Sequence, residues 1–155
     1  MALITATECT VYSNITASAA TITASGLIPI IRDRIMMMTN NQFTTDLFLR
    51  DVMTFNFTAR TVVASTSFVA QNFLADDDCF IYNSYRNDGF RVIASVTTVT
   101  LTLATGEIVT DELSGRSIMV SVVKWPAEVK QAAALMIAYD YDVRPKKSGN
   151  VKTNV

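Results

Sequence analysis

The stretch "KWPAEVKQAAALMIAYDYDVR", Lys124 to Arg144, decides how the rest of the chain is read. Pro126 suits the first turn of a helix, where its missing N–H costs nothing, and Glu128 faces the positive end of the helix dipole. Arg144 and Pro145 stop the helix, which the pattern places over 126–143. Its middle, Ala132 to Ala138, carries no polar residue on any face. Val129, Ala132, Met136 and Tyr139 form one stripe, expected to lie on a sheet. A second apolar face built from small residues, Ala132, Ala133, Ala134, Leu135, Ile137 and Ala138, would allow close approach of another helix or chain. A fully buried core helix would give the same pattern.

Working backwards, 44–123 is rich in Thr, Val, Ile and Phe, which fit a pleated surface. In "VTTVTLTLAT" the residues Val96, Val99, Leu101 and Leu103 alternate with Thr98, Thr100 and Thr102, an antiparallel strand with one wet face. "RNDGF" (Arg86 to Phe90) reads as a tight hairpin with Gly89 at a positive φ. Strands are expected near 52–57, 60–64, 79–84, 90–96, 98–103 and 117–123, joined mostly as hairpins into a small sheet or sandwich.

The residues from 18 to 41 read as two helices broken near Gly26, with Pro29 in the first turn of the second. On that second helix Ile31, Ile35 and Met38 form the inward stripe, while Arg32 and Asp33 look outward and Met36 and Met37 are left for softer contacts. The last segment, 144–155, is polar and basic and reads as a flexible tail. The fold class is therefore α+β: N-terminal helices, a central antiparallel β-region, a long C-terminal helix and an extended tail. A length of 155 residues suggests a single domain.

Half of the residues are hydrophobic and only 17% are charged, fewer than the roughly 25% usual in globular proteins. That surplus needs burial, and subunit interfaces provide it. The net charge of −1 gives no global attraction to nucleic acid or acidic membranes. Cys9 and Cys79 lack metal or redox spacing and read as buried free thiols of a reducing compartment. The opening "MALITATECT" lacks a basic stretch followed by an apolar core, so no secretory signal is expected, and "LIPIIRDRIMMM" is too short and too charged to cross a bilayer. A soluble cytoplasmic product follows, in which the sequons at Asn14 and Asn56 have no role.

With no histidine in the chain, Ser-His-Asp and Cys-His systems and histidine metal sites are excluded. Asp76, Asp77 and Asp78 lack the glycine-punctuated spacing of a calcium loop and read as a solvated loop entering a strand, as do Asp111 and Glu112. A carboxylate pair assembled from distant positions stays open. No phosphate-binding loop or basic recognition helix is present. Arg144, Lys146, Lys147 and Lys152 form a local basic patch, and Tyr82, Tyr85 and Phe90 could form an aromatic platform for a small ligand or sugar. Contact rather than chemistry is the expected function.

Three stretches carry a family likeness: "IMMMTNNQF", "DDDCFIYNSYRNDGFRVIASVTTVTLTL" and "VKWPAEVKQAAALMIAYDYDVR". Their order resembles the head-tail connector (head completion, or adaptor) proteins of tailed bacteriophages. The resemblance implies a virion protein of the neck, made in the host cytoplasm, without enzymatic activity or cofactor. It implies a homo-oligomeric ring, typically dodecameric, beneath the portal protein. Such a ring extends the DNA channel, touches DNA non-specifically and offers a surface to the tail or a stopper protein. On this likeness Ala132 to Ala138 meet a neighbouring subunit, and the tail, with Arg144, Lys146, Lys147, Lys152 and Val155, docks on the portal. The β-region from 55 to 113 is longer than in the shorter members. A tail-completion or capsid-decorating protein and a β-rich ligand-binding module are the alternatives.

Overall fold

The computed structural model describes residues 3–13, 18–113 and 115–143. The fold is α+β, with four α-helices and a seven-stranded antiparallel sheet. The chain divides into two compact units. One is built from 42–124, and the other from both flanks, 3–41 and 125–143. The β unit is thus an insertion in a helical unit.

The helical unit contains α1 (Ala6–Ser13), α2 (Ala19–Ser25), α3 (Leu27–Thr39) and α4 (Ala127–Ala138). α1 was not expected from apolar periodicity, but its start is written in "TATE". The Glu8 N–H donates to Thr5 Oγ1 at 3.1 Å, and the Thr5 N–H donates to Glu8 Oε2 at 2.8 Å. This reciprocal capping box satisfies amides that a helix start leaves without partners. Ser18 caps α2 by accepting from the Thr21 N–H. The break at Gly26 is where the sequence puts it: a φ of 65° ends α2 and starts α3, with Pro29 in the first turn of α3.

α3 buries Ile31 and Ile35, but Met38 is exposed and Arg32 is half-buried, so the inward stripe is shorter than expected. α4 is continued by a π-helical turn, Tyr139–Val143, so the 126–143 element changes its hydrogen-bond register after Ala138. Its buried stripe is also displaced from the expected one. Lys130, Ala133, Ala134 and Ile137 are buried, while Ala132 and Tyr139 are exposed and Val129 and Met136 are half-buried. The packing partners are α1 and α3. Lys130 meets Glu8 with Nζ and Oε1 3.4 Å apart, and Arg34 on α3 meets Asp140 at 3.1 Å. A lysine can sit in this stripe because its charge is paired.

The β unit runs β1 (Thr44–Val52), β2 (Thr54–Asn56), β3 (Thr61–Val63), β4 (Asp78–Tyr82), β5 (Gly89–Val96), β6 (Thr100–Leu103) and β7 (Ser117–Val123). Across the sheet the order is β1-β7-β4-β5-β6-β3-β2. Its two outermost strands, β1 and β2, are separated in the chain by Met53 alone. The sheet must therefore curl until its edges nearly meet. Inside the curl lies a core that includes Leu49, Met53, Phe55, Val62, Ile81, Ile93, Leu101, Val109, Ile118, Val120 and Val122. Phe68 and Phe73, edge to face at 5.4 Å, extend it beneath the connection that carries a short 3₁₀ turn, Val69–Gln71.

β1 was not expected as a strand. Asp46, Phe48, Arg50 and Val52 fall on its exposed positions, so the charges hide the alternation behind them. The hairpin at "RNDGF" is a wide loop rather than a tight turn, because Ile81 pairs with Gly89, which is already the first residue of β5. The tight hairpin is instead Thr97 to Thr100, where the Thr97 N–H donates to Thr100 O at 2.8 Å. Val99 is consequently exposed in that turn, and β6 begins two residues later than the pattern suggests.

The Glu8 and Lys130 pair gives a pH-dependent stability. Burial raises the Glu8 pKa, but the Thr5 N–H and the Lys130 ammonium outweigh it and leave the carboxyl below its usual value. A lowered folded-state pKa stabilises above the unfolded value, near 4.5, and the contribution fades as pH falls through the folded value. Denaturant unfolding of Glu8→Gln should therefore be less stable than wild type at pH 7, with the gap narrowing below pH about 4.5. A gap independent of pH would show that the ion pair contributes nothing.

Candidate functional site

Between α3 and α4 the helical unit carries an open apolar groove of about 280 Å³, lined by Ile35, Met38, Thr39, Val129, Ala132 and Met136, with Glu128 at its rim. It forms because α4 turns Val129, Ala132 and Met136 to one side of its buried stripe, while α3 supplies Ile35, Met38 and Thr39 at matching helical spacing. Met37 and Met38 are 78% and 75% exposed, and Leu135 is 55% exposed. Methionine adapts its shape to whatever packs on it.

The structure divides the expected interface set. Ala133, Ala134 and Ile137 are buried within the chain, so the small-residue face of α4 is covered by this protein's own packing. Cys9 Sγ on α1 lies 4.0 Å from Ala134 O. Ala132 and Leu135 are exposed and Ala138 is half-buried. Arg144, Lys146, Lys147, Lys152 and Val155 lie outside the described residues, as does Asn14.

The carboxylates have structural work. Asp76 is exposed, but Asp78 is buried in β4, so "ADDDCF" is not wholly a solvated loop. Asp111 is exposed, and its Oδ1 accepts from the Phe57 N–H at 2.6 Å. Glu112, expected to be equally solvated, is buried, and its two oxygens accept from the Tyr85 N–H and Asn87 Nδ2, each at 2.8 Å. Asn87, itself buried, donates to Thr110 O at 3.0 Å and accepts from the Thr110 N–H at 2.7 Å. With Asp88 accepting from the Ser84 N–H and hydroxyl, this network fixes the loop between β4 and β5.

Asp51, which sequence reading passed over, holds a second loop. Its carboxylate accepts from the N–H groups of Val52, Ser65 and Thr66 and from the Ser65 and Thr66 hydroxyls, all within 3.0 Å. Burial pushes its pKa up, but the Thr66 and Ser65 hydroxyls and the Thr66 and Val52 amides hold it well below the carboxylate range. The "STS" at 65–67 beside an acidic strand end was the available signal.

The aromatic platform is not assembled. Phe90 is buried edge to face against Phe80 at 5.2 Å, and Tyr82 packs on Phe80 at 4.4 Å with its hydroxyl donating to Gln42 Oε1. Tyr85 lies beneath the Arg116 guanidinium, 4.7 Å from its ring centre. Both cysteines are buried free thiols, and burial raises both pKa values, so neither is an available nucleophile. Among the described residues no group of three or more His, Cys, Asp or Glu could hold a metal ion, and no helix is long and apolar enough to cross a membrane. Comparison of the chain with protein-family models, curated proteins and solved structures finds no match.

Two neighbouring positions on α4 separate core from surface. Ala134→Glu should lower stability by about 3 kcal/mol or more, because a larger, charged side chain is forced into a closed site where Lys130, one turn away, is already paired with Glu8. Leu135→Glu should stay within about 0.5 kcal/mol of wild type. Urea unfolding measures both, and equal stability of the two variants would contradict the burial of Ala134.

Proposed function

We propose that the chain is a structural protein of the tailed-phage neck: a head-tail connector that assembles as a homo-oligomeric ring, of dodecameric order, between the portal and the tail or stopper protein. The observation that carries this reading is the apolar α3/α4 groove, lined in part by the exposed Met38, on helices that also expose Met37 and Leu135. Such a surface has more to gain from a protein partner than from water. The groove and the exposed Val11 and Tyr12 of α1 are different patches on the same helical unit. Contacts between unlike patches propagate head to tail and close into rings when the rotation permits.

The order of parts supports the same reading, with helices from both flanks of the chain and a β unit inserted between them. On this reading the C-terminal helix is followed by the extended tail, 144–155, which reaches toward the portal. Arg144, Lys146, Lys147, Lys152 and Val155 then dock on the portal, while the inserted β unit makes contacts of its own with tail parts. DNA passes the ring with non-specific contact only. The ligand-module alternative loses its main support, because the aromatic side chains it needs are engaged with one another, with Gln42 or with Arg116.

Sedimentation velocity of the purified chain, alone and with the portal protein from the same genome, tests the reading. Wild type should form a defined oligomer or join the portal stoichiometrically. Met38→Glu and Leu135→Glu, both at exposed positions, should remain folded and weaken assembly at least about tenfold, the loss of one well-packed contact. Wild type that stays monomeric and ignores the portal would defeat the connector reading. Variants that assemble normally would move the subunit contact away from the groove.

A further inference from the structure

A second pocket lies at one end of the β unit, remote in sequence from the helical groove. Two turns form it: 57–60, between β2 and β3, and 104–108, after β6. Phe57, Thr58, Arg60, Gly106, Glu107 and Ile108 line about 350 Å³ of open space. Both turns are held rigidly. Asn56 Oδ1 accepts from the Ala59 N–H at 2.7 Å, Asp111 Oδ1 fixes the Phe57 N–H, and the Leu103 N–H donates to Arg60 O at 2.8 Å. On the other side, Glu107 N–H donates to Ala104 O at 3.1 Å.

Arg60 is the unusual member. Its φ is 52°, in the left-handed region that non-glycine residues seldom adopt. Its Nε is buried without a hydrogen-bond partner, as is the Arg91 Nε, and among the described residues the Arg60 side chain is in no salt bridge. The other cation nearby is occupied: Arg91 donates to Phe90 O at 2.6 Å and Asn87 O at 3.3 Å and lies 3.9 Å from Glu107. Glu107 is engaged in turn, accepting from the Val92 N–H at 3.1 Å. The pocket therefore holds one guanidinium without a counter-ion, beside two exposed apolar side chains, Phe57 at 57% and Ile108 at 74%.

We propose that this pocket binds a carboxylate carried on a short apolar body, with Arg60 meeting the carboxylate and Phe57 and Ile108 covering the apolar part. An arginine offers a planar pair of donors matched to a carboxylate. A phosphate dianion is disfavoured, because the Glu107 and Asp111 carboxylates stand close by and only one cation is free. The carboxylate can come from a small organic acid or from the C-terminus of another polypeptide ending in an apolar residue.

Amide NMR titrations of the full chain separate these sources. The probes are hexanoate and its amide, and an acetylated tripeptide, Gly-Gly-Leu, as free acid and as amide. The acid of at least one pair should shift amides confined to 57–60 and 104–108, and its amide should bind at least about tenfold more weakly, the scale of a lost charge-assisted contact. Hexanoate binding identifies a small-acid site, and binding of the peptide acid alone identifies a chain-terminus site. Arg60→Gln should weaken either at least about tenfold. Ile108→Glu, at an exposed position, keeps the fold and sets a repelling carboxylate at the rim, so it should abolish binding even if Arg60→Gln proves unstable. No response in these turns up to about 10 mM, a concentration that saturates sites of millimolar affinity, would overturn the proposal. Acid and amide binding equally would do the same.

Discussion

The constraint on which the β unit depends is Met53. A single buried residue separates β1 from β2, yet these are the two outermost strands of a seven-stranded order. The chain passes from one edge of the sheet to the other in one step, so the sheet has no freedom to lie flat. Curling encloses the side chains of alternate positions on both halves. It also brings the loops at each end close enough to be tied by side chains. Asp51 ties the segment after β3 to the end of β1, and the Asn87 and Glu112 network ties the β4–β5 loop to the segment before β7. Polar groups removed from water in these loops cost little because each finds a partner.

The helical unit is organised differently. It has no single continuous segment, since the chain leaves it after α3 and returns for α4. Its closure depends on contacts of long sequence separation, among them two ion pairs, Glu8 with Lys130 and Arg34 with Asp140. The triple alanine lets α1 come close: Ala133 and Ala134 are buried, and Cys9 reaches the backbone of Ala134. The side of α4 turned toward α3 is less completely filled, and the groove there follows from that incomplete packing.

Much of the α+β order was legible in the sequence because its signals are local. Gly26 with Pro29, the Thr-Val alternation and the "KWPAEV" helix start each act within a few residues. α1 was missed because its apolar residues show no periodic face; the Thr5 and Glu8 box was the signal that could have placed it. β1 was missed because charged residues occupy its outer positions. The buried face of α4 could not be phased from a segment that is apolar all round. Its phase is set by α1 and by a salt bridge to Glu8, 122 residues away in the chain. The same reason explains the candidate site: a groove shared by α3 and α4 and a pocket shared by two turns are properties of pairs of distant segments. No single stretch announces either.

On the proposed connector reading, the exposed apolar groove of the helical unit serves assembly of copies into a closed ring on a portal. Native mass spectrometry of the chain over a range of concentrations, with and without the portal protein from the same genome, tests it most directly. One closed oligomer, or one stoichiometric complex with the portal, is expected, with no ladder of intermediate sizes. A chain that remains a monomer at every concentration in the presence of the portal would contradict it.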